Sequence, residues 1–230
     1  MSHSVPIHLR PTAPLAERVL LPGDPGRALA LAQELLEQPR MFNHHRGLWG
    51  YTGAAPDGQP LTIQSTGMGG PSAAIVLAEL IMLGARRAIR VGTCGALVER
   101  LALGELVIAG ESICADGTSR ALGAGERASA DPELTRALAD HAPAARLGTI
   151  VSVDLVYESG ERRLHPGAIA VEMEAAALFA TAAAAQVPVA CVLAVSDTFD
   201  AEGARERIAD APLLAAAERR GRAAIAALSV

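Results

Sequence analysis

Apolar residues along this chain fall into two rhythms, short unbroken runs and stretches spaced at three and four, separated by glycine- and proline-rich turns. Val19-Leu20-Leu21 reads as a short buried strand ended by Pro22-Gly23-Asp24-Pro25-Gly26-Arg27, and the helix after it puts Ala28, Leu31, Ala32, Leu35 and Leu36 on one face. Alternation after Arg46 predicts a strand with Trp49 and Tyr51 on one side, then a turn at residues 56–59 and a strand over 61–65. Residues 65–97 read as a strand end, a glycine-rich turn, an apolar helix and a second strand ending in Arg90-Val91-Gly92-Thr93-Cys94-Gly95. Further on come a buried strand over 105–110, a Gly/Ser/Ala-rich loop over 116–127 suited to a mobile flap, and a helix over 132–141 with Leu134 and Leu138 inward. A strand over 148–153 follows, then a strand running into the alanine-rich helix after residue 174. The wholly apolar run 189–195 belongs at the centre of a sheet. The last helix, 213–228, turns Leu214, Ala217, Ala224, Ile225 and Leu228 inward and Arg219, Arg220 and Arg222 to solvent. Strands alternating with helices throughout predict an α/β fold: a mixed, mostly parallel sheet covered on both faces. No linker or repeat divides the chain, so residues 1–230 are expected to form one domain.

Composition narrows the partners. Half of the 230 residues are hydrophobic, with alanine in excess, and aromatics are 3%, which gives no stacking platform for nucleic acid. A net charge of −5 also speaks against a polyanion-binding surface, so any anion site must be local. No basic segment followed by an apolar one opens the chain, and no apolar run reaches membrane-spanning length. Cys94, Cys114 and Cys191 are odd in number and sit in apolar surroundings, the pattern of reduced, buried thiols in a cytoplasmic protein. His44 and His45 would point to opposite faces of a strand and so could not chelate one ion; no metal is expected.

Three places carry candidate chemistry. Arg90 and Thr93 follow a turn whose Gly67, Gly69 and Gly70 let backbone come close to a ligand, with Pro71 at home in the first helical turn. A guanidinium, amides and a hydroxyl at a strand end make an anion site, phosphate above all, although a solvated strand end explains Arg90 alone equally well. Gly23 and Arg27 repeat the geometry at another strand end, against an ordinary turn with an exposed arginine. Glu172-Met173-Glu174 places two carboxylates where a buried segment begins: one suits a helix start, and the second suits the vicinal hydroxyls of a ribose. Asp197, after Ser196 at the end of the apolar strand, reads either as a cap or as a general acid whose pKa burial raises.

Taken together, Leu21-Pro-Gly-Asp-Pro-Gly-Arg27, Arg46-Gly47, Ser65-Thr-Gly-Met-Gly-Gly-Pro-Ser72, Arg90-Val-Gly-Thr-Cys-Gly95, Val171-Glu-Met-Glu-Ala-Ala176 and Val195-Ser-Asp197 resemble the nucleoside phosphorylase family, the branch of hexameric purine nucleoside and uridine phosphorylases. The resemblance implies that inorganic phosphate attacks C1′ of a nucleoside to give ribose 1-phosphate and free base, phosphate being a co-substrate and no cofactor being needed. It implies a phosphate site at Gly23, Arg27, Arg90, Val91, Gly92 and Thr93, completed by Arg46 of a neighbouring subunit. It further implies a nucleoside site at Val156, Glu172, Met173, Glu174, Ser196 and Asp197, with His8 reaching the adjacent subunit's 5′-hydroxyl. Sites shared in this way imply a homo-oligomer, a hexamer by family habit.

Asp197 matches the acid that protonates N7 in the purine enzymes, which favours purine nucleosides and purine salvage over uridine. Departures are present. The arginine that assists the acid has no clear match, with Arg205 and Arg207 offered. Gly160 stands where the uridine enzymes read the base with glutamine, although Arg162 is present. Val156 falls where some purine enzymes carry an aromatic. Uridine phosphorolysis, a hydrolytic nucleosidase and a non-catalytic nucleoside-binding protein stand as alternatives.

Overall fold

A computed structural model describes residues 5–157, 165–199 and 204–229. In chain order its elements are β1 (Arg18–Leu21), α1 (Pro25–Leu35), β2 (Glu37–Asn43), β3 (Gly50–Ala54), β4 (Pro60–Gln64), α2 (Gly70–Leu83), β5 (Arg87–Ala96) and β6 (Leu106–Cys114). There follow α3 (Gly117–Ala121), β7 (Arg127–Ser129), α4 (Pro132–His141), β8 (Arg146–Ser152), β9 (Ala170–Glu172), α5 (Ala175–Ala185), β10 (Val189–Phe199), β11 (Arg205–Arg207) and α6 (Asp210–Leu228).

The helices begin where capping chemistry permits. Asp24 accepts the Arg27 amide at 2.8 Å and Pro25 occupies the first turn of α1. Asp131 does the same for α4, accepting from the amides of Glu133 and Leu134 at 3.1 and 2.9 Å. The turn before α2 needs its glycine: Gly69 sits at φ +87°, where a side chain is strained.

The sheet is mixed, as the alternation of elements indicated. Parallel ladders join β4–β1–β5–β10 and β6–β8–β9, while hairpins and edges add antiparallel pairs. β10 pairs with β5 and also with β6, and β9 pairs with β8 and β5, so strands β5, β10, β6, β8 and β9 close into a ring. One side is covered by α2 and α5, with Leu77, Leu80 and Phe179 in the core. On the other lie α1, α4 and α6, with Leu31, Leu35, Leu138 and Ile225. Cys94, Cys114 and Cys191 are all free and buried. Among the described residues, no helix is long and apolar enough to cross a membrane.

Four local expectations need correction. Arg46 adopts φ 59° within a 3-10 turn over His45–Gly47, so the strand starts only at Gly50; Trp49 lies outside it, 38% exposed, while Tyr51 is buried. Opposite strand faces therefore do not describe His44 and His45. Residues 116–127 are a loop only over 122–126: Asp116 caps the short α3 through the Ser119 amide, and β7, which begins at Arg127, pairs with β6. In α6 the inward stripe is the expected one at Ala217, Ala224, Ile225 and Leu228, but Leu214 is 50% exposed and Arg220 is fully buried. Finally, β5 runs six residues beyond Arg90, because Gly92 to Gly95 stay paired with β10.

Candidate active site

A cleft of about 800 Å³ opens over the ends of β5, β9 and β10 and receives the turns after β1 and β4. Gly23, Arg27, Arg90, Gly92, Thr93, Val156, Glu172, Met173, Glu174, Ser196, Asp197, Arg205 and Arg207 all line it, which brings most of the sequence candidates to one place. The volume suits a small organic ligand with an anion beside it.

Arg90 reaches the cleft from mid-strand by lying along β5 over Gly92. A Cβ on Gly92 would stand 2.7 Å from the Arg90 Cζ, so the glycine is what lets the guanidinium pass. Its Nε lies 3.0 Å from Glu172 Oε2, and Nη2 pairs with Glu174 Oε2. Burial presses the Arg90 pKa down, but Glu174 and Glu172 outweigh it and leave the net shift upward, so the cation is fixed. Nη1 is buried with no hydrogen-bond partner. On the opposite side of the strand, Thr93 Oγ1 accepts from Arg27 Nη1 at 3.4 Å. Burial lowers the Arg27 pKa, and the Arg90 charge adds to it against Asp24. Val91 differs from its neighbours: its side chain is in the core beneath α1 and α6, and only its backbone belongs near the site.

The two glutamates divide the roles that the sequence left open. Glu172 takes the helix start, accepting from the amides of Glu174 at 2.9 Å and Ala175 at 3.0 Å and from the Ser152 hydroxyl. Burial raises its pKa; Arg90 opposes that and Glu174 adds to it. Glu174 faces the cleft instead, with Oε1 accepting from the Gly69 amide at 2.6 Å. The positive φ of Gly69 is what aims that amide.

Asp197 departs from expectation in direction. Burial does push its carboxyl up, but hydrogen bonds from Arg205 and Ser196 and the charges of Arg205 and Arg207 outweigh it, and the net displacement is below the ordinary carboxylate value. Arg205 Nε lies 2.7 Å and Arg207 Nη1 3.2 Å from Oδ1, while Ser196 Oγ donates to Oδ2 at 2.6 Å. Both arginines arrive because β11 pairs antiparallel with β10, Asp197 opposite Arg207, and strand alternation turns 205 and 207 to the same side. Sequence reading named the two arginines without seeing this strand.

His8 and Arg46 do not line the cleft formed by their own chain. His8 Nδ1 is 2.7 Å from Glu79 Oε1, and the Glu79 carboxylate also accepts the amides of Ile7, His8 and Leu9. His45 Nδ1 lies 2.9 Å from the His8 carbonyl, which brings the 3-10 turn carrying exposed Arg46 beside the N-terminal segment. Arg162 and Gly160 lie outside the described residues. Met68, Tyr157, His165 and Phe199 line the cleft without having been singled out. Tyr157 supplies an aromatic one residue beyond Val156, and Met68 sits inside the glycine-rich turn; both signals were visible in the sequence. Among the described residues no group of three or more His, Cys, Asp or Glu side chains is arranged to hold a metal.

The chain is similar to known proteins over most of its length. The chain is 37% identical over 196 residues to a purine nucleoside phosphorylase DeoD-type of Alkaliphilus metalliredigens (strain QYMF), covering 80% of this chain and 83% of that protein. It is 37% identical over 205 residues to the protein of the same name from Clostridium beijerinckii, covering 84% and 86%. The same identity holds over 207 residues, 84% and 89%, for that of Caldanaerobacter subterraneus subsp. tengcongensis. A sequence profile for the Phosphorylase superfamily matches residues 17–229, nearly the whole length over which the sheet, its two helical layers and the cleft are built, and the chain belongs to that family.

Proposed function

We propose that this protein is a purine nucleoside phosphorylase, cleaving purine nucleosides with inorganic phosphate to free base and ribose 1-phosphate in purine salvage. The observation that carries the reading is the convergence in one cleft of Arg27, Thr93 and Arg90, then Glu174, then Asp197 with two arginines. Phosphate sits against Arg27, Thr93 and the free Arg90 Nη1, with the backbone at Gly23 and Val91–Gly92. Glu174 accepts from the sugar hydroxyls beside Met173, and the base lies toward Val156 and Asp197.

Cleavage forms a bond from a phosphate oxygen to C1′ and breaks the bond from C1′ to the base nitrogen, whose electron pair leaves with the base. The sugar gains cationic character on the way, which the adjoining dianion and Glu174 stabilise. Negative charge on the purine is relieved by a proton at N7. In the free site Asp197 is ionised under Arg205 and Arg207, so the acid form requires those cations to turn toward the base or aside. Burial is then opposed only by the Ser196 hydrogen bond, and the carboxyl moves upward, toward a proton-donating range.

His8 and Arg46, both outside their own cleft and on segments joined by the contact of His45 with the His8 carbonyl, support a homo-oligomer in which each serves a neighbour's site, a hexamer by family likeness. The exposed Ile7, Ile75 and Met82 around α2 fit such an interface. One domain over 1–230, a cytoplasmic location and the absence of any cofactor complete the reading; the buried free thiols support the location.

Chromatography of inosine, adenosine and uridine reactions, each with and without phosphate, tests it. Base release from the purine nucleosides that requires phosphate is expected. Release at the same rate without phosphate indicates a nucleosidase, preference for uridine the pyrimidine activity, and binding without turnover a carrier.

A further inference from the structure

Helix α6 packs on the side of the sheet that carries Val91, with Ala217, Ala224 and Ile225 in the buried layer. Arg220 stands on the same stripe, three residues after Ala217 and four before Ala224. It is buried to 0% exposure, and its Nε, Nη1 and Nη2 all lack a hydrogen-bond partner. An interior guanidinium with neither hydrogen bonds nor a counter-charge is strongly unfavourable, and such groups persist where something else answers for them.

The surroundings say what is missing. Burial is the largest influence on Arg220, followed by repulsion from Arg27 and Arg90, and together they lower its pKa to about 9, which leaves it charged at neutral pH. Its two neighbouring thiols, Cys94 and Cys191, are pushed up by burial and carry no negative charge to offset it. Arg90 is already matched by Glu172 and Glu174, and Arg27 has a half-exposed Asp24 at 3.9 Å. Three guanidiniums thus share one field, two of them line the cleft, and the third has no carboxylate of its own among the described residues.

We propose that Arg220 is a positioning residue for the oxyanion: a buried cation, uncompensated in the free protein, whose counter-charge is the phosphate held between Arg27, Thr93 and Arg90. The inference rests on the reading of that site as a phosphate site. Arg220 does not line the cleft and acts through the buried apolar layer between α6 and β5, where a charge is weakly screened. It keeps the pocket positive beyond what the paired Arg90 supplies.

The test uses inorganic phosphate alone, by titration calorimetry and thermal unfolding, on the full chain and on Arg220→Met, Arg220→Gln and Arg220→Lys. Without phosphate, Arg220→Met is expected to melt at or above the wild type, because an apolar residue of similar size replaces an unpaired buried charge. Its phosphate affinity falls about tenfold, its melting point rises less on adding phosphate, and KM for phosphate rises more than KM for inosine. Arg220→Lys stays closer to the wild type than Arg220→Gln does. Wild-type phosphate affinity in Arg220→Met overturns the proposal, whether or not stability changes. Should that variant fail to fold, equal phosphate affinities in the Lys and Gln variants overturn it. A wild-type protein that does not respond to phosphate overturns the phosphorolysis reading as well, so the two failures are told apart.

Discussion

Arg90 and Glu174 are directly paired in the floor of the cleft, and the other Glu174 oxygen is occupied by the amide of Gly69. One contact therefore ties the cation proposed to hold phosphate to the carboxylate proposed to hold the sugar. Both side chains are almost fully buried, so each is the other's main compensation.

Replacing Arg90 by Met should destabilise the fold by roughly 3–5 kcal/mol, because Glu172 and Glu174 are left buried without their cation. Arg27→Met, at a more exposed site with only a long contact to Asp24 and a long hydrogen bond to Thr93, should cost much less. Urea unfolding of both variants measures the difference. Similar losses in the two would contradict the pairing.

Gly92→Ala introduces a methyl 2.7 Å from Arg90 atoms that two glutamates hold in place. An untethered guanidinium would swing aside, but this one cannot without breaking its ion pairs. The expected cost is about 1–3 kcal/mol of stability, with weaker phosphate use. A variant with wild-type KM for phosphate and wild-type stability would show that Arg90 moves freely.

Asp197→Asn should lower turnover about 10²–10⁴-fold while nucleoside binding changes little, as removal of a general acid predicts. Steady-state kinetics with equilibrium binding of inosine separates the two quantities. Equal loss in both would assign the aspartate to structure.

The arginines on β11 give that carboxylate a signature in pH. Its folded pKa is depressed, so its contribution to stability is complete above the unfolded value of about 4 and is lost as pH falls through the folded one. With Arg205 and Arg207 both changed to Ala, burial prevails and the carboxyl moves upward, so the wild-type advantage over the double variant should shrink on acidification. Unfolding free energies between pH 3 and 7 test the sign.

Mixing inactive Arg46→Ala protein with inactive Asp197→Ala protein, then exchanging subunits, should restore activity, because a shared site can be built from one intact contribution of each. Refolding the mixture from denaturant and assaying inosine cleavage measures this. No recovery, despite mixed assemblies seen by mass spectrometry, would place Arg46 in its own chain's site.

Much of this was legible in the chain because local chemistry and burial agreed. The glycine- and proline-rich turn at 22–27 marks the start of α1, and the apolar run 189–195 could only be central. What escaped carried no apolar signal of its own and was set by polar caps and by strand pairing. Residues 116–127 have too few apolar side chains to announce α3 and β7, which depend on the Asp116 cap and on pairing with β6. The pKa direction of Asp197 turned on a three-residue strand, β11, with no hydrophobic signal at all. Arg220 misled for a different reason: a run of arginines reads as solvated, yet the phase of the helix buries the middle one.

The closed circuit of β5, β10, β6, β8 and β9 carries a last implication. Because Arg90, Glu172 and Asp197 hang from staves of one hooped barrel, no hinge can draw any of them apart from the others. Leu155, Val156 and Tyr157 stand off that hoop and are exposed. Substitution there can therefore reshape the mouth of the cleft while the groups on the barrel keep their spacing.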